Sequence, residues 1–191
     1  TGKIVRSVSS ILRRTGIRPA PFLGKTETGG MTERSFAVER ALKRGTEVHR
    51  LTRSIDETGG LEDAFEDRFD PAELLPETIN YVGAYDLFLR ESGYIPTSWE
   101  VILYNPTLDY AGRCDGVGWL GHDRIMIDRK TDKTLNRAVW IQLAHYRLAW
   151  NAMYPKERID KTFAVKLNDD MTYKLIRNPM EPGDEPFVHA A

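Results

Sequence analysis

"AGRCDGVGWLGHDRIMIDRK", residues 111–130, decides how this chain folds. Its period-two alternation reads as two strands joined by a turn at "LGHD". Alternation sends Ile127 and Arg129 to one face of the second strand and Asp128 and Lys130 to the other, so aspartate and lysine are neighbours. A hairpin turning at "LGHD" brings Asp115 of the first strand beside Asp128. Two carboxylates so placed repel unless a cation lies between them, and hard oxygen donors select Mg²⁺ or Mn²⁺ over softer metals. A lysine at that place can orient a water or neutralise charge building on a phosphoryl group. Asp-x-Lys alone is common on polar strand faces; its weight comes from what surrounds it.

Working outward, "WEVILY" from Trp99 supplies a strand ahead of the pair, which makes an antiparallel three-strand meander. "NRAVWIQLAHYRLAWNAMY" then has helical periodicity and ends at Pro155; within it Gln142 and Tyr146 stand four apart and share one face. "KTFAVKLN" and "TYKLIRN" read as two further short strands. Before the meander, "IVRSVSSILRRTGI" is a helix with apolar Ile4, Val8, Ile11 and Leu12, closed by Gly16. A second helix is expected from Glu33 to Glu57, Asp70 and Pro71 carry the cap and first-turn signals of another, and "ETINYVGAYDLFLRESG" is an amphipathic helix stopped by Gly93. Helices, meander, helix, strands: the order predicts an α/β fold, a mixed sheet with an antiparallel three-strand meander flanked by helices.

At 191 residues and 41% apolar, the chain suits one domain with a substantial core, and residues 1–191 are read as one. Formal net charge is −1, but the charge is uneven. Lys3, Arg6, Arg13, Arg14, Arg18 and Lys25 face one acid, Glu27, in the first thirty residues, whereas "DETGGLEDAFEDRFDPAELLPE" is strongly acidic. Cys114 is the only cysteine, which excludes an intrachain disulfide framework, a four-cysteine zinc site and an iron–sulfur cluster. It adjoins Asp115 on the opposite strand face and reads as core. No apolar run approaches the roughly 18 residues of a membrane span, and the N-terminal stretch lacks a secretory h-region, so a cytoplasmic location with no membrane partner is expected. "GKTETGG" lacks the glycine spacing of a phosphate loop, and His122, His145 and His189 have no mutual metal spacing.

The combination "GRCD", "IDRK" and the helical Gln142–Tyr146 pair resembles the PD-(D/E)XK nuclease superfamily, and within it the RecB-like exonucleases of bacteria and phages. The resemblance runs over about residues 37–150 in the family's order. "KRGTEVH" matches the helical RGxxxH setting with His49, "SWEVILY" offers Glu100 for the first-strand glutamate, Asp115 matches GxxD, Asp128 and Lys130 match (D/E)xK, and Gln142 and Tyr146 match QxxxY. It implies a restriction-endonuclease-like core over about residues 37–176, preceded by a basic helical segment over about 1–36. It departs from the iron–sulfur members, which flank the core with cysteines that this chain lacks.

What the resemblance implies is a Mg²⁺- or Mn²⁺-dependent deoxyribonuclease, an exonuclease in DNA recombination, repair or phage DNA processing. Asp115 and Asp128 would hold the metal with His49, Glu100 and the backbone carbonyl of Arg129. A water positioned by Lys130 would attack phosphorus in line, with Gln142 and Tyr146 on the scissile phosphate or the lysine. DNA would be gripped by Arg13, Arg14 and Arg18, with Trp119 stacking on a frayed base, and a homo-oligomer or a recombination protein is the expected further partner. Two other readings stay open: a catalytically silent nucleic-acid-binding module of the same fold, and a structural protein whose "DRK" face is a solvated sheet surface.

Overall fold

The computed structural model describes residues 5–17, 33–65, 69, 73–180 and 188–190. Along the chain these form β1 (Arg6–Ser7), α1 (Val8–Arg14), α2 (Glu33–Thr58), α3 (Leu61–Phe65), α4 (Thr78–Ser92), β2 (Tyr94–Asn105), β3 (Tyr110–Leu120), β4 (Asp123–Lys130), α5 (Arg137–Met153), β5 (Lys161–Leu167), β6 (Tyr173–Arg177) and β7 (Val188–Ala190). The architecture is α/β, an open mixed sheet flanked by helices. β2, β3 and β4 are the antiparallel meander, β5 joins β4 in parallel, and β6 and β7 continue antiparallel. The parallel step needs a crossover, and α5 supplies it.

β4 lies inside the sheet with helices on both sides, which is why "IMIDR" is buried throughout. Ile125 and Ile127 pack with Val48, Leu51 and Ile55 of α2 and with Val82, Tyr85 and Phe88 of α4. Met126 looks the other way, into the layer of Leu143, Tyr146 and Trp150 of α5 and Val8 and Leu12 of α1. Val48, Leu51 and Ile55 recur at helical spacing, so α2 offers one apolar stripe and leaves Arg40, Lys43, Arg50 and Arg53 exposed.

Several boundaries differ from those the sequence predicts. The first helix starts at Val8, because Ser7 caps it by accepting from the Ser10 amide at 3.1 Å. Arg6 and Ser7 instead form β1, parallel to Tyr110 and Ala111, so a strand precedes the helices. β2 begins at Tyr94 rather than Trp99, and a register shift between Pro96 and Ser98 accommodates the proline. Gly16 and Gly93, at φ 72° each, close α1 and α4 as expected. Asp70, Pro71 and Arg18 lie outside the described residues.

One topological detail positions the site. β2 lines one edge of β3 along its whole length, and β4 takes the other edge only from Gly116 to Leu120. The register would next set Asp115 opposite Asp128, but the ladder stops at Gly116↔Ile127. β4 runs on beside β5 as far as Lys130↔Lys166, while β1 occupies the vacated edge further down, at Tyr110 and Ala111. The two strands thus fork at the aspartates.

Candidate functional site

The fork opens into a cavity of about 660 Å³ lined by His49, Glu100, Asp115, Asp128, Lys130, Gln142 and Tyr146, among others. Every catalytic or metal-ligating residue that the sequence nominates is at its wall, Arg129 included. α2 brings His49 from one side of the sheet and α5 brings Gln142 and Tyr146 from the other. A break in the ladder is what lets both layers reach the same point.

Asp115 is 8% exposed, and its Oδ2 accepts the Arg129 amide at 2.7 Å, a side chain taking the place of a missing ladder acceptor. A strand residue's N–H and C=O leave by the same edge, so the Arg129 carbonyl also faces the fork. His49 Nδ1 is 3.5 Å from Asp115 Oδ2. Glu100 falls opposite Asp115 across β2 and β3, between Trp99↔Gly116 and Val101↔Cys114, and its φ of 51° is strained for a non-glycine strand residue. Ligand atoms of His49, Glu100 and Asp115 lie within 4.8 Å of one another, so this group could hold a metal ion.

Asp128 is fully buried across the fork and is not one of that trio. Its Oδ2 meets the Lys130 ammonium at 2.6 Å, off the line a hydrogen bond needs, and its Oδ1 has no partner. A buried carboxylate oxygen left so is costly unless something absent satisfies it. Carboxylate oxygens of Glu100 and Asp115 with the His49 imidazole make a donor set that could hold a metal ion, and Asp128 adds a buried oxygen in want of a partner across the fork.

Burial lifts the Asp128 carboxyl above the usual range, with the neighbouring Asp115 charge in support and Lys130 opposing. Asp115 is also buried, but His49, Lys130 and the Arg129 amide outweigh that and hold its carboxyl below the usual range. Tyr146 is pushed up, first by burial and then by the charges of Asp128 and Asp115, which keeps its hydroxyl protonated. That hydroxyl accepts from Gln142 Nε2 at 3.1 Å. The ring lies hard against β3 at Gly112, where a Cβ would stand 2.2 Å from Tyr146 Cε1. Cys114 is buried, its thiol pushed up to about 12 by desolvation, which fits a core residue.

The remaining sequence candidates are not gathered here. Trp119 lies off the cavity wall with the Arg124 guanidinium 4.9 Å from its ring centroid, and Arg13 and Arg14 are exposed at the end of α1, also off the wall. Among the described residues neither arginine makes an ion pair with the acidic stretch. Cations that do line the cavity escaped the sequence reading: Arg50 and Arg53 on α2, and Arg113, whose Nε is 2.9 Å from Glu100 Oε2. The i, i+3 spacing of Arg50 and Arg53, directly after His49, was the available signal. No protein-family model matches the chain, and no curated protein matches it.

Proposed function

We propose that this chain is a metal-dependent deoxyribonuclease of the PD-(D/E)XK superfamily, RecB-like, with a restriction-endonuclease-like core. The observation that carries the reading is convergence. Residues from α2, β2, β3, β4 and α5, spread from His49 to Tyr146, meet at one fork in roles that phosphodiester hydrolysis needs. His49, Glu100, Asp115, Asp128 and the Arg129 carbonyl would hold Mg²⁺ or Mn²⁺, which supplies Lewis acidity toward a phosphoryl oxygen. Lys130, held by Asp128, orients the attacking water and neutralises charge on the phosphate. Tyr146, kept protonated, has a hydroxyl hydrogen to donate to a phosphate oxygen, and Gln142 fixes its direction. Arg50 gives the rim positive charge for a flanking phosphate, and Arg53 and Arg113 would add theirs by exchanging Glu57 and Glu100 for phosphate oxygens. Exonucleolytic cleavage in DNA recombination, repair or phage DNA processing is the setting we assign.

A gel assay comparing linear, nicked, circular and single-stranded DNA in Mg²⁺, Mn²⁺ and EDTA tests this. Degradation of linear DNA, dependent on metal and lost on Asp115→Ala, is expected; metal-independent cleavage, or none on any substrate, sinks it. One observation favours a second reading, the catalytically silent DNA-binding module: Arg113 already meets Glu100 and Lys130 already meets Asp128, so part of the acidic charge is balanced by the chain itself. DNA binding without cleavage in any metal would favour that module.

A further inference from the structure

Beneath the fork, on the face away from Lys130, the Arg129 side chain is fully buried. Its Nη2 donates to the Asp115 carbonyl at 2.7 Å and its Nη1 to Asp56 Oδ2 at 2.8 Å. Asp56 also accepts from the Tyr85 hydroxyl at 2.7 Å, and the guanidinium carbon lies 5.1 Å from the Tyr85 ring centroid. Asp56 is on α2, seven residues and thus about two turns beyond His49. Asp115 is on β3, at the point where the ladder to β4 has lapsed. One rigid, planar group therefore spans from the helix that carries His49 to the strand that carries Asp115, where no backbone pairing fixes their separation.

We infer that the Arg129 side chain is a positioning residue that sets the spacing between His49 and Asp115, and through it which cation the site accepts. This rests on the metal-dependent reading above. The guanidinium touches no substrate; it acts through Asp56 on α2 and through the Asp115 carbonyl on β3. The backbone amide of the same residue holds the Asp115 carboxylate at 2.7 Å, so one residue fixes both the main chain and the side chain of a ligand. A lysine ammonium at this position lacks the fork that reaches both acceptors at once.

The test measures Mn²⁺, Mg²⁺ and Ca²⁺ binding by calorimetry on wild type, on Arg129→Lys, and on the triple variant Arg129→Met, Asp56→Leu, Tyr85→Phe. The triple removes the three buried polar side chains together, so that only the Asp115 carbonyl loses its donor, and keeps the inference testable should Arg129→Lys not fold. Thermal melts in EDTA identify the folded variants. Each folded variant is expected to bind Mn²⁺ about tenfold or more weakly, the usual scale for losing an outer support of a metal ligand. The ratio of Mg²⁺ to Ca²⁺ affinity should fall as well, because Mg²⁺ demands near-ideal octahedral spacing and Ca²⁺ does not. His49→Ala should weaken Mn²⁺ binding in wild type and weaken it less in the Arg129→Lys background, the coupling a double-mutant cycle reads. A folded variant with wild-type Mn²⁺ affinity and an unchanged Mg²⁺-to-Ca²⁺ ratio overturns the inference alone. Wild-type protein that binds none of the three ions overturns the metal reading and this inference with it.

Discussion

Asp115 and Asp128 look equivalent on paper, and the fork makes them unequal. Asp128 has its carboxyl raised by burial, so its ionisation works against the fold: the stability it contributes is present at low pH and lost as pH rises through its folded value. Asp115 is held low by His49, Lys130 and the Arg129 amide despite its burial, so its contribution is present above the ordinary aspartate range and lost as pH falls through its folded value. In EDTA at neutral pH, Asp128→Asn should therefore melt higher than wild type and Asp115→Asn lower, with both inactive on DNA. Calorimetric melts across pH check this, and the advantage of Asp128→Asn should vanish below the ordinary aspartate range, where Asp128 is protonated in the folded and the unfolded chain alike. Lys130→Ala should keep Mn²⁺ binding, since an ammonium is not a ligand, while turnover falls about a hundredfold or more. Collapse of metal affinity in that variant would reverse the division of roles. Strand alternation made Asp128 and Lys130 legible as neighbours, and helical spacing did the same for Gln142 and Tyr146. The Arg113–Glu100 pair, the strain at Glu100 and the buried Arg129–Asp56 contact were not legible, because each depends on how distant elements approach rather than on local period.

At the scale of elements, the meander, α5 and the β5–β6 pair were all readable from period and turn signals. β1 was not, because two residues carry no periodicity, and the first part of β2 was hidden by Pro96, whose missing N–H ordinarily argues against a strand. The close approach of α5 to β3 was invisible as well, although Gly112 permits it. A Cβ there has no room beside the Tyr146 ring, and β3 is backbone that cannot yield. Gly112→Ala should accordingly lower stability by about 1–3 kcal/mol through overpacking and turn Tyr146 away from Gln142. Denaturant unfolding gives the first quantity. Activity reduced beyond what Tyr146→Phe alone produces would show that the helix, and not only the hydroxyl, has moved.

For the whole molecule, a net charge of −1 means that affinity for a polyanion must come from a local patch. α1 ends in Arg13 and Arg14, both exposed, while Ser7, Val8 and Ser9 at its start line the cavity, so the arginines stand on an element that reaches the site at its other end. Replacing both by Ala should weaken binding to all DNA sequences about equally and flatten the slope of log affinity against log salt by roughly 0.7–0.9 per lost contact. Titrations with Ca²⁺ in place of Mg²⁺ measure it; an unchanged slope with a lowered melting temperature would mean that the arginines serve the fold. The seat of that helix has a kinetic side too. β1 is held to the sheet through two residue pairs, Arg6↔Tyr110 and Ser7↔Ala111, which close a loop of about a hundred residues at an entropic cost that few bonds repay. Such a closure forms late in folding and opens early in native fluctuations, ahead of the β3–β4 ladder. Amides shared between β1 and β3 should then exchange with solvent deuterium through a low-energy local opening, while those between Gly116 and Ile127 exchange only with global unfolding. Since Ser7 to Ser9 form part of the cavity wall while Val8 and Leu12 are seated in the layer of α5, exchange at the β1–β3 amides reads how firmly that wall is anchored: an opening that stops at the two strand pairs leaves the wall in place, and one that reaches Val8 takes it away.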